Sequence, residues 1–386
     1  MSNLANPPLR RFETAPTASL NRLQIVDLPG LPLDETVRGR RGDELLSNRA
    51  LLLYVGEHAE ALDLAPGDFA RVRPNLLESQ AVVRNRVART VNEALLSHEP
   101  RRRAAAEAVA VRLGRNLGWL LIALHRGDSV NRAGRPDWRD EDWECWRAVR
   151  LVWLGGGLSS GRLGEILVAQ ATELIHEHSY AQAVQVKLSP HRERIALVGV
   201  SRTLSIDGAG LRGTRRTVLG FDFGHTLVKR AILRYDDGRL TKIESMASHL
   251  VEWRDLYAGT QGKQEFGRNV LSFMARIIAE TAALAPTVEP LALVSIAGHI
   301  KHGKLIESDS YAAIHAASDV EVDALVSAAA SRHAGRPLAT RLVHDGTAAA
   351  LAHAGSLRSA TLVLGTALGL GFPPEQEAGL CEVDIK

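Results

Sequence analysis

Short apolar runs of strand length alternate along the chain with longer stretches in which apolar residues recur at the spacing of a helix. The apolar runs predict strands at 23–26, 149–154, 184–188, 242–250, 291–298 and 360–364, a hairpin over 218–235, and a strand end at 343. The helical spacing predicts helices near 43–58, through much of 66–126, at 162–178, from 195, and at 267–284, 321–334 and 348–354. This alternation predicts an α/β architecture.

The length of 386 residues suggests two or three domains. Because 45% of the residues are hydrophobic and 24% are charged, the sequence predicts a soluble, globular protein with a sizeable core. The formal net charge of +3 is too small for this length to indicate nucleic-acid binding, so no nucleic-acid partner is expected. The arginine runs at 38–41 and 101–103 are typical of a solvated face, and anion contacts are the alternative.

The chain has two cysteines, Cys145 and Cys381, far apart in sequence. This excludes a disulfide framework and a cysteine-rich zinc cluster, and it fits a reducing, cytoplasmic location. The longest apolar stretch, near 119–124, is too short to span a bilayer, and the N-terminus lacks an apolar signal region, so no membrane partner is expected. Residues 1–20, rich in Pro, Asn, Thr and Arg, are expected to form a disordered tail.

The first candidate site is the polar turn of the predicted hairpin. The turn brings Asp222, Gly224 and Thr226 together, with His225 between them and Lys229 just beyond. A carboxylate supplies a hard oxygen for Mg²⁺, and a glycine with positive φ lets backbone N–H groups approach an anion. The turn is therefore suited to a metal–triphosphate, and the alternative is an ordinary hairpin with a polar turn.

Three further segments place chemistry at the ends of predicted strands. A strand enters the turn Gly155-Gly156-Gly157 before a helix, which suits a nucleotide without being a P-loop; a plain tight turn is the alternative. Asp345 lies at a strand–helix junction, where it fits a general base, a helix N-cap, or both. The last predicted strand leads into a glycine-rich turn that contains Gly365, Thr366 and Gly369.

Together these segments resemble the sugar-kinase, actin and heat-shock chaperone superfamily, and within it the ROK family (repressors, open reading frames, kinases). The segment His344-Asp345-Gly346-Thr347-Ala348-Ala349-Ala350-Leu351-Ala352 resembles the ROK segment Asn-Asp-x-x-Ala-Ala-Ala-Leu-Ala, which carries the catalytic aspartate. The resemblance implies two ribonuclease-H-like lobes of the actin-like ATPase fold around a central nucleotide cleft.

The resemblance also implies a role for each candidate residue. Asp345 would be the general base and Asp222 the ligand of Mg²⁺. The residues implied to hold the phosphates of ATP are Gly224, His225, Thr226, Gly365, Thr366 and Gly369. Lys229 would add charge there or point into solvent. The glycines Gly155, Gly156 and Gly157 would lie against the adenosine. The implied substrate contacts are His344, which replaces the family's asparagine, Gly298 and Glu377.

The order of these segments differs from that of ROK chains, in which the glycine triplet follows both phosphate hairpins. Residues 186–204 resemble the last strand and helix of the family, and a Gly- and Arg-rich linker then leads into what is normally the first strand. A circular permutation is the simplest explanation. The expected domains are a tail at 1–20, a large lobe at 21–204, a linker at 205–216, a small lobe at 217–342, and the start of the large lobe at 343–386.

Arg38 and Asp43 stand where ROK proteins have zinc-binding cysteines, so no structural zinc is expected. The activity implied by the resemblance is ATP-dependent phosphoryl transfer to a hydroxyl of a sugar or sugar-like molecule, by a homodimer. One alternative is a catalytically degenerate nucleotide or sugar sensor without a DNA-binding module. Another is an acyl-CoA-linked ATPase activator or a phosphatase of the same superfamily.

Overall fold

A computed structural model describes residues 19–64, 81–178, 184–206, 215–306, 310–316, 318–374 and 384–385. Most of the expected tail at 1–20, most of the expected linker at 205–216, and Glu377 lie outside these described residues.

The strands of the described residues are, in chain order, β1 (Gln24–Ile25), β2 (Arg40–Arg41), β3 (Leu151–Gly155), β4 (Gln185–Leu188), β5 (Arg215–Phe223), β6 (Leu227–Asp236), β7 (Arg239–Leu250), β8 (Leu291–Ile296), β9 (His299–Lys301), β10 (Lys304–Ile306), β11 (Ala339–His344), β12 (Ser359–Leu364), β13 (Leu368–Gly371) and β14 (Asp384–Ile385). The helices are α1 (Gly42–Leu46), α2 (Asn48–Gly56), α3 (Ala81–Leu95), α4 (Pro100–Arg126), α5 (Ser129–Arg132), α6 (Asp140–Ala148), α7 (Gly161–Glu177), α8 (Ile195–Ile206), α9 (Trp253–Tyr257), α10 (Lys263–Leu284), α11 (Val322–Ala334) and α12 (Asp345–Leu351).

The chain divides into two compact units. The split unit comprises Thr17–Ile195 and Ser356–Phe372, and the central unit comprises Ala196–Gly355 together with the described part of Pro373–Lys386.

The central unit is built on a six-stranded sheet in the order β11-β8-β5-β6-β7-β14. Strand β5 pairs in parallel with β8, which pairs in parallel with β11. On its other side β5 pairs antiparallel with β6, which pairs antiparallel with β7. From Val218 and Ala292 onward, β5 and β8 are buried without a break, as expected for central strands that are covered on both faces.

The parallel strands β5, β8 and β11 end at the same edge of this sheet. Phe223 is the register partner of Ile296, and Ile296 is the register partner of His344. In open α/β sheets, ligands bind outside the carboxyl ends of the strands. This edge is therefore where the fold of the central unit favours a site.

The helices α8 and α12 cross at very close range. A Cβ atom at Gly199 of α8 would lie 1.5 Å from the carbonyl oxygen of Ala348 in α12, so only glycine permits this crossing. The hydroxyl of Tyr235 on β6 also donates a hydrogen bond to the carbonyl oxygen of Ser201 in α8. Both helices thus belong to the central unit, whereas the expected large lobe ran to 204 and resumed at 343.

The split unit contains a four-stranded sheet in the order β13-β12-β3-β4. Strand β12 pairs antiparallel with β13 and in parallel with β3, and β3 pairs in parallel with β4. The long helix α4 packs against α7 in the core. The buried Asn116 of α4 donates to the carbonyl oxygen of Leu45 and to the hydroxyl of Tyr54, which ties α1 and α2 to this helix.

The strands and helices that the apolar pattern predicts are confirmed in type for the described residues. Two differences from the expectation lie beside candidate site residues. The glycine-rich segment after β12 was expected to be a turn throughout, but its second half forms β13. The hairpin β9–β10 was not predicted, because each of its strands has three residues and buries one apolar side chain, Ile300 or Leu305.

Candidate functional site

Asp222 lies one residue before the end of β5, and only 8% of its side chain is exposed. Its register partner on β8 is Ser295, whose Oγ donates a hydrogen bond of 3.1 Å to Asp222 Oδ1. Its register partner on β6 is Lys229, whose Nζ lies 2.9 Å from Asp222 Oδ2. The two neighbouring strands therefore supply one donor to each carboxylate oxygen, and Lys229 points to Asp222 and not simply into solvent.

A Mg²⁺-bound polyphosphate fits this donor set. A carboxylate has about four lone-pair positions, so each oxygen of Asp222 keeps capacity for Mg²⁺ or for its water ligands. Mg²⁺ usually retains several waters and needs one or two protein carboxylates, and Lys229 adds a positive charge for a phosphate. Within the part of the chain that the structure describes, no group of three or more His, Cys, Asp or Glu residues is arranged to hold a metal ion by itself.

The turn after β5 is held by side chains from outside the hairpin. The Tyr311 hydroxyl donates to the carbonyl oxygen of Gly224 at 2.9 Å, and the Trp253 indole N–H donates to the carbonyl oxygen of His225 at 2.7 Å. The Nε2 of His225 lies 3.0 Å from Ser310 Oγ. These contacts give the tip a defined conformation, which is a requirement for positioning a ligand.

Glycine at 224 can take a positive φ, but in the structure Gly224 does not adopt one. Its N–H donates to the carbonyl oxygen of Leu227 at 3.1 Å, and a Cβ atom would also lie 3.1 Å from that oxygen. Glycine therefore permits close closure of the turn. The neighbouring Thr226 is half-buried, and its carbonyl oxygen accepts the N–H of Val251.

Asp345 is the first residue of α12, and the N-cap of this helix is His344. The alternative of Asp345 as the N-cap is therefore wrong. His344 keeps a non-helical backbone with ψ 138°, and its Nδ1 accepts the N–H of Thr347 at 3.3 Å. The Oδ1 atom of Asp345 accepts the N–H of Gly346 at 2.7 Å and lies 3.1 Å from Nε2 of His344.

Burial, followed by the negative charge of Asp222, raises the pKa of Asp345 to about 6. Burial lowers the pKa of His344 to about 4, so this imidazole is neutral near pH 7. Burial, and then the charges of Asp222 and Asp345, raise the pKa of Tyr311 above its ordinary value. The charges of Asp222 and Asp345 thus both act on the hydroxyl of Tyr311. A carboxylate with a pKa near 6, such as that of Asp345, is suited to exchange a proton near neutral pH.

His299 begins β9 and stacks on His344, with ring centroids 4.3 Å apart and planes inclined by 23°. The preceding Gly298 is buried, and a Cβ atom there would lie 3.0 Å from Leu305 Cδ2, so this glycine packs against the hairpin β9–β10. The third expected substrate contact, Glu377, lies outside the described residues.

In the split unit, the glycine turn connects β3 to a 3₁₀ helix, Gly157–Ser159, and then to α7. Gly156 has φ 92°, and a Cβ atom there would lie 2.4 Å from the carbonyl oxygen of Leu364, so the turn itself requires this glycine. A Cβ atom at Gly155 would lie 2.8 Å from Ile195 Cδ1. Gly157 is exposed, and no described heavy atom lies within 4 Å of its Cβ position.

The second glycine-rich segment forms the β12–β13 hairpin of the split unit. Gly365 and Thr366 lie at its tip, and the carbonyl oxygen of Gly365 accepts the N–H of Asn48 at 2.7 Å, at the start of α2. Gly369 lies on β13 opposite Val363. The hairpin tip is therefore anchored to the beginning of a helix.

Arg38 and Asp43, at which the resemblance implied an absence of zinc-binding cysteines, make ion pairs. Arg38 pairs with Asp27, and its Nε lies 3.2 Å from Oε1 of Glu35. Asp43 Oδ1 lies 3.4 Å from Arg41 Nε, and burial raises the pKa of Asp43.

The structure brings Asp222, Lys229, His344 and Asp345 to one edge of the central sheet, and the expected residues at 224–226 and Gly298 follow the ends of β5 and β8 at the same edge. Sequence reasoning missed Ser295, Trp253, His299 and Tyr311. His299 carried a usable signal, because it follows a glycine at the end of a predicted strand. Ser295 carried none, because it lies inside an apolar run and a lone serine there is compatible with any buried strand.

None of the described helices has the length and apolar character needed to cross a lipid bilayer. Comparison with known protein families, with curated protein sequences and with solved structures gives no match for this chain.

Proposed function

We propose that the protein transfers a phosphoryl group from ATP to a hydroxyl of a sugar or sugar-like small molecule. The observation that carries this proposal is the placement of Asp222 and Asp345 at the carboxyl ends of β5 and β11, at one edge of one sheet. Only β8 separates these strands, so they lie about 10 Å apart at the usual strand spacing. A gap of this order accommodates a hydrated Mg²⁺, a phosphoryl group and an acceptor hydroxyl.

The strand order of the central sheet supports the interpretation of this unit as a ribonuclease-H-like lobe. Five of its strands can be numbered 1 to 5 in chain order: β5, β6, β7, β8 and β11. Their order across the sheet is then 3-2-1-4-5. Only the second of them, β6, runs antiparallel to the others. This is the arrangement of the lobe that the family resemblance implies.

The sheet of the split unit supports the circular permutation. If its sequence is followed from Ser356 to Phe372 and then from Thr17 onward, β12, β13, β3 and β4 come in that order. They then correspond to strands 1, 2, 4 and 5 of the order 3-2-1-4-5. Only the strand that corresponds to strand 2, β13, runs antiparallel to the others. Followed from Thr17 alone, the unit has no such correspondence.

In the proposed reaction, Asp345 accepts the proton of the acceptor hydroxyl while the hydroxyl oxygen attacks the γ-phosphorus. The bond from the γ-phosphorus to the β–γ bridging oxygen breaks, and ADP leaves. A pKa of about 6 leaves this carboxylate mostly ionised at pH 7 and still basic enough to take a proton. Lys229 and the turn at 224–226 position the phosphates. Asp222 would hold Mg²⁺, which would neutralise negative charge on the phosphates. Positioning and charge neutralisation account for most of the catalysis of phosphoryl transfer.

The test is an assay of ADP release and acceptor phosphorylation with MgATP and a panel of hexoses and N-acetylhexosamines. The proposal predicts turnover with at least one acceptor. It also predicts a loss of roughly 10²- to 10⁴-fold in kcat for Asp345→Asn, with MgATP binding retained. The matched control is Asp319→Asn, which changes an exposed carboxylate of the same unit and should leave kcat unchanged.

Two outcomes would count against this proposal. Binding of MgATP without phosphorylation of any acceptor would favour the catalytically degenerate binding protein. Turnover that survives Asp345→Asn unchanged would remove Asp345 as the general base.

A further inference from the structure

We propose that Tyr311 and Trp253 are positioning residues for the phosphates of ATP, because they fix the direction of the backbone N–H groups in the turn between β5 and β6. This inference rests on the proposed phosphoryl transfer. It goes beyond that proposal because it assigns a role to two buried aromatic side chains that lie outside the hairpin.

Three consecutive carbonyl oxygens of this turn accept hydrogen bonds from outside the hairpin: those of Gly224, His225 and Thr226. In the same order, the donors are the Tyr311 hydroxyl at 2.9 Å, the Trp253 indole N–H at 2.7 Å and the backbone N–H of Val251 at 3.0 Å. All three donor residues are fully buried, whereas the turn itself is half-buried. The carbonyl groups of the turn therefore point towards the interior of the central unit.

The direction of these carbonyl groups determines the direction of the amide N–H groups. The described peptide units are trans, and in a planar trans unit the C=O bond and the N–H of the next residue point in opposite directions. The N–H groups of His225, Thr226 and Leu227 therefore point away from the buried donors. Backbone N–H groups that follow one another in a turn can form a concavity that binds an anion.

Tyr311 and Trp253 also hold each other in place. Their ring centroids lie 4.9 Å apart with planes inclined by 80°, which is an edge-to-face contact. On another side, Tyr311 makes an edge contact with Phe223, the last residue of β5. Burial, and then the charges of Asp222 and Asp345, raise the pKa of Tyr311, so its hydroxyl keeps the proton that it donates.

Three substitutions separate positioning of the turn from general stability. Tyr311→Phe keeps the ring and removes the hydroxyl, and Trp253→Phe keeps an aromatic ring and removes the indole N–H. The matched control is Phe266→Leu. Phe266 is buried and packs against Trp253, with ring centroids 6.4 Å apart, but its side chain has no polar atom with which to hold the turn.

The experiment measures the Kd of MgATP by calorimetry and the thermal unfolding midpoint of the wild type and the three variants. For Tyr311→Phe and for Trp253→Phe we expect the Kd of MgATP to rise about 3- to 10-fold, because each loses one hydrogen bond that orients the turn. Phe266→Leu should lower the unfolding midpoint and leave the Kd unchanged. Lowered midpoints with an unchanged Kd in both Tyr311→Phe and Trp253→Phe would show a purely structural role and overturn the inference.

A second measurement separates failure of this inference from failure of the proposed function. The amide ¹H–¹⁵N resonances of His225, Thr226 and Leu227 are followed while magnesium tripolyphosphate is added. Shifts that saturate in the wild type, and that need a severalfold higher concentration in Tyr311→Phe, support the inference. Resonances that do not shift overturn it. A wild type that phosphorylates no acceptor refutes the proposed function, and the tripolyphosphate titration still decides whether the turn is positioned to bind phosphates.

Discussion

The negative charge of Asp222 acts on Asp345 across the intervening strand β8. After burial, it is the strongest influence that raises the pKa of Asp345 to about 6. Asp222 is itself contacted by Lys229 at 2.9 Å and by Ser295 at 3.1 Å. Whatever binds to Asp222 therefore changes the proton affinity of Asp345, and this linkage gives the proposed base a dependence on the bound cation.

The first prediction concerns the pH dependence of the reaction. Because Asp345 must be ionised to accept a proton, kcat/KM should rise as the pH increases through about 6. A cation bound at Asp222 offsets its negative charge, so the corresponding midpoint in kcat should lie at lower pH. Steady-state kinetics between pH 4.5 and 8 measures both profiles, and profiles that are flat over this range would contradict the role of Asp345.

The second prediction concerns stability. The folded-state pKa of Asp345 is raised from 3.8 to about 6, so the folded protein binds this proton more tightly than the unfolded chain. The contribution of Asp345 to stability therefore falls as the pH rises through this window, and it is unfavourable at pH 7. Asp345→Asn should stabilise the protein at pH 7.5 by about 1–3 kcal/mol, with no difference below pH 4. Urea unfolding of the wild type and the variant at pH 7.5 and below pH 4 measures this difference in the free energy of unfolding. A variant that is less stable than the wild type at pH 7.5 would contradict the prediction.

The third prediction concerns the pair of Lys229 and Asp222. Lys229→Met retains most of the apolar stem but leaves a carboxylate that is 8% exposed without its cation. We expect a loss of about 1–3 kcal/mol in the free energy of unfolding, together with weaker MgATP binding. The double variant Lys229→Met/Asp222→Asn should recover part of the stability but not the binding. Additive effects of the two substitutions on stability would mean that the pair is not coupled.

The fourth prediction tests the glycine turn of the split unit. Gly156→Ala should destabilise the protein by about 2–5 kcal/mol, because φ is 92° and the new Cβ atom would lie 2.4 Å from a backbone oxygen. Gly157→Val should leave the unfolding midpoint nearly unchanged, because the space around Gly157 is open among the described residues. If this turn lies against adenosine, Gly157→Val weakens ATP binding severalfold. Unchanged binding would favour a plain tight turn.

The sheet of the central unit was predictable because its strands are apolar runs bounded by polar turns. Asp222 and Asp345 were selected as candidates because each is a carboxylate at the end of such a run. Tyr311 was not predictable, because its hydrogen bond to Gly224 depends on tertiary packing between segments that are distant in sequence. The cap at His344 was missed because the helix begins at Asp345, three residues before the start at 348 that the alanine-rich pattern predicts.

The structural reasons for the glycines Gly224 and Gly156 were likewise not predictable from the sequence. A glycine in a polar turn suggests a positive φ, but at Gly224 the deciding factor is the approach of Leu227. At Gly156 the constraint comes from Leu364, a residue on a strand far away in the chain. Sequence pattern therefore located these two turns, whereas the reason for each glycine depended on contacts that only the fold determines.

The most direct measurement compares Asp222→Asn and Asp345→Asn for MgATP binding by calorimetry and for phosphorylation of the best acceptor. If both carboxylates serve one phosphoryl transfer, Asp222→Asn weakens Mg²⁺-dependent ATP binding. Asp345→Asn should bind MgATP like the wild type but lose roughly 10²- to 10⁴-fold in kcat. Wild-type protein that binds no MgATP, or two variants that bind and turn over like the wild type, would contradict a shared role of Asp222 and Asp345.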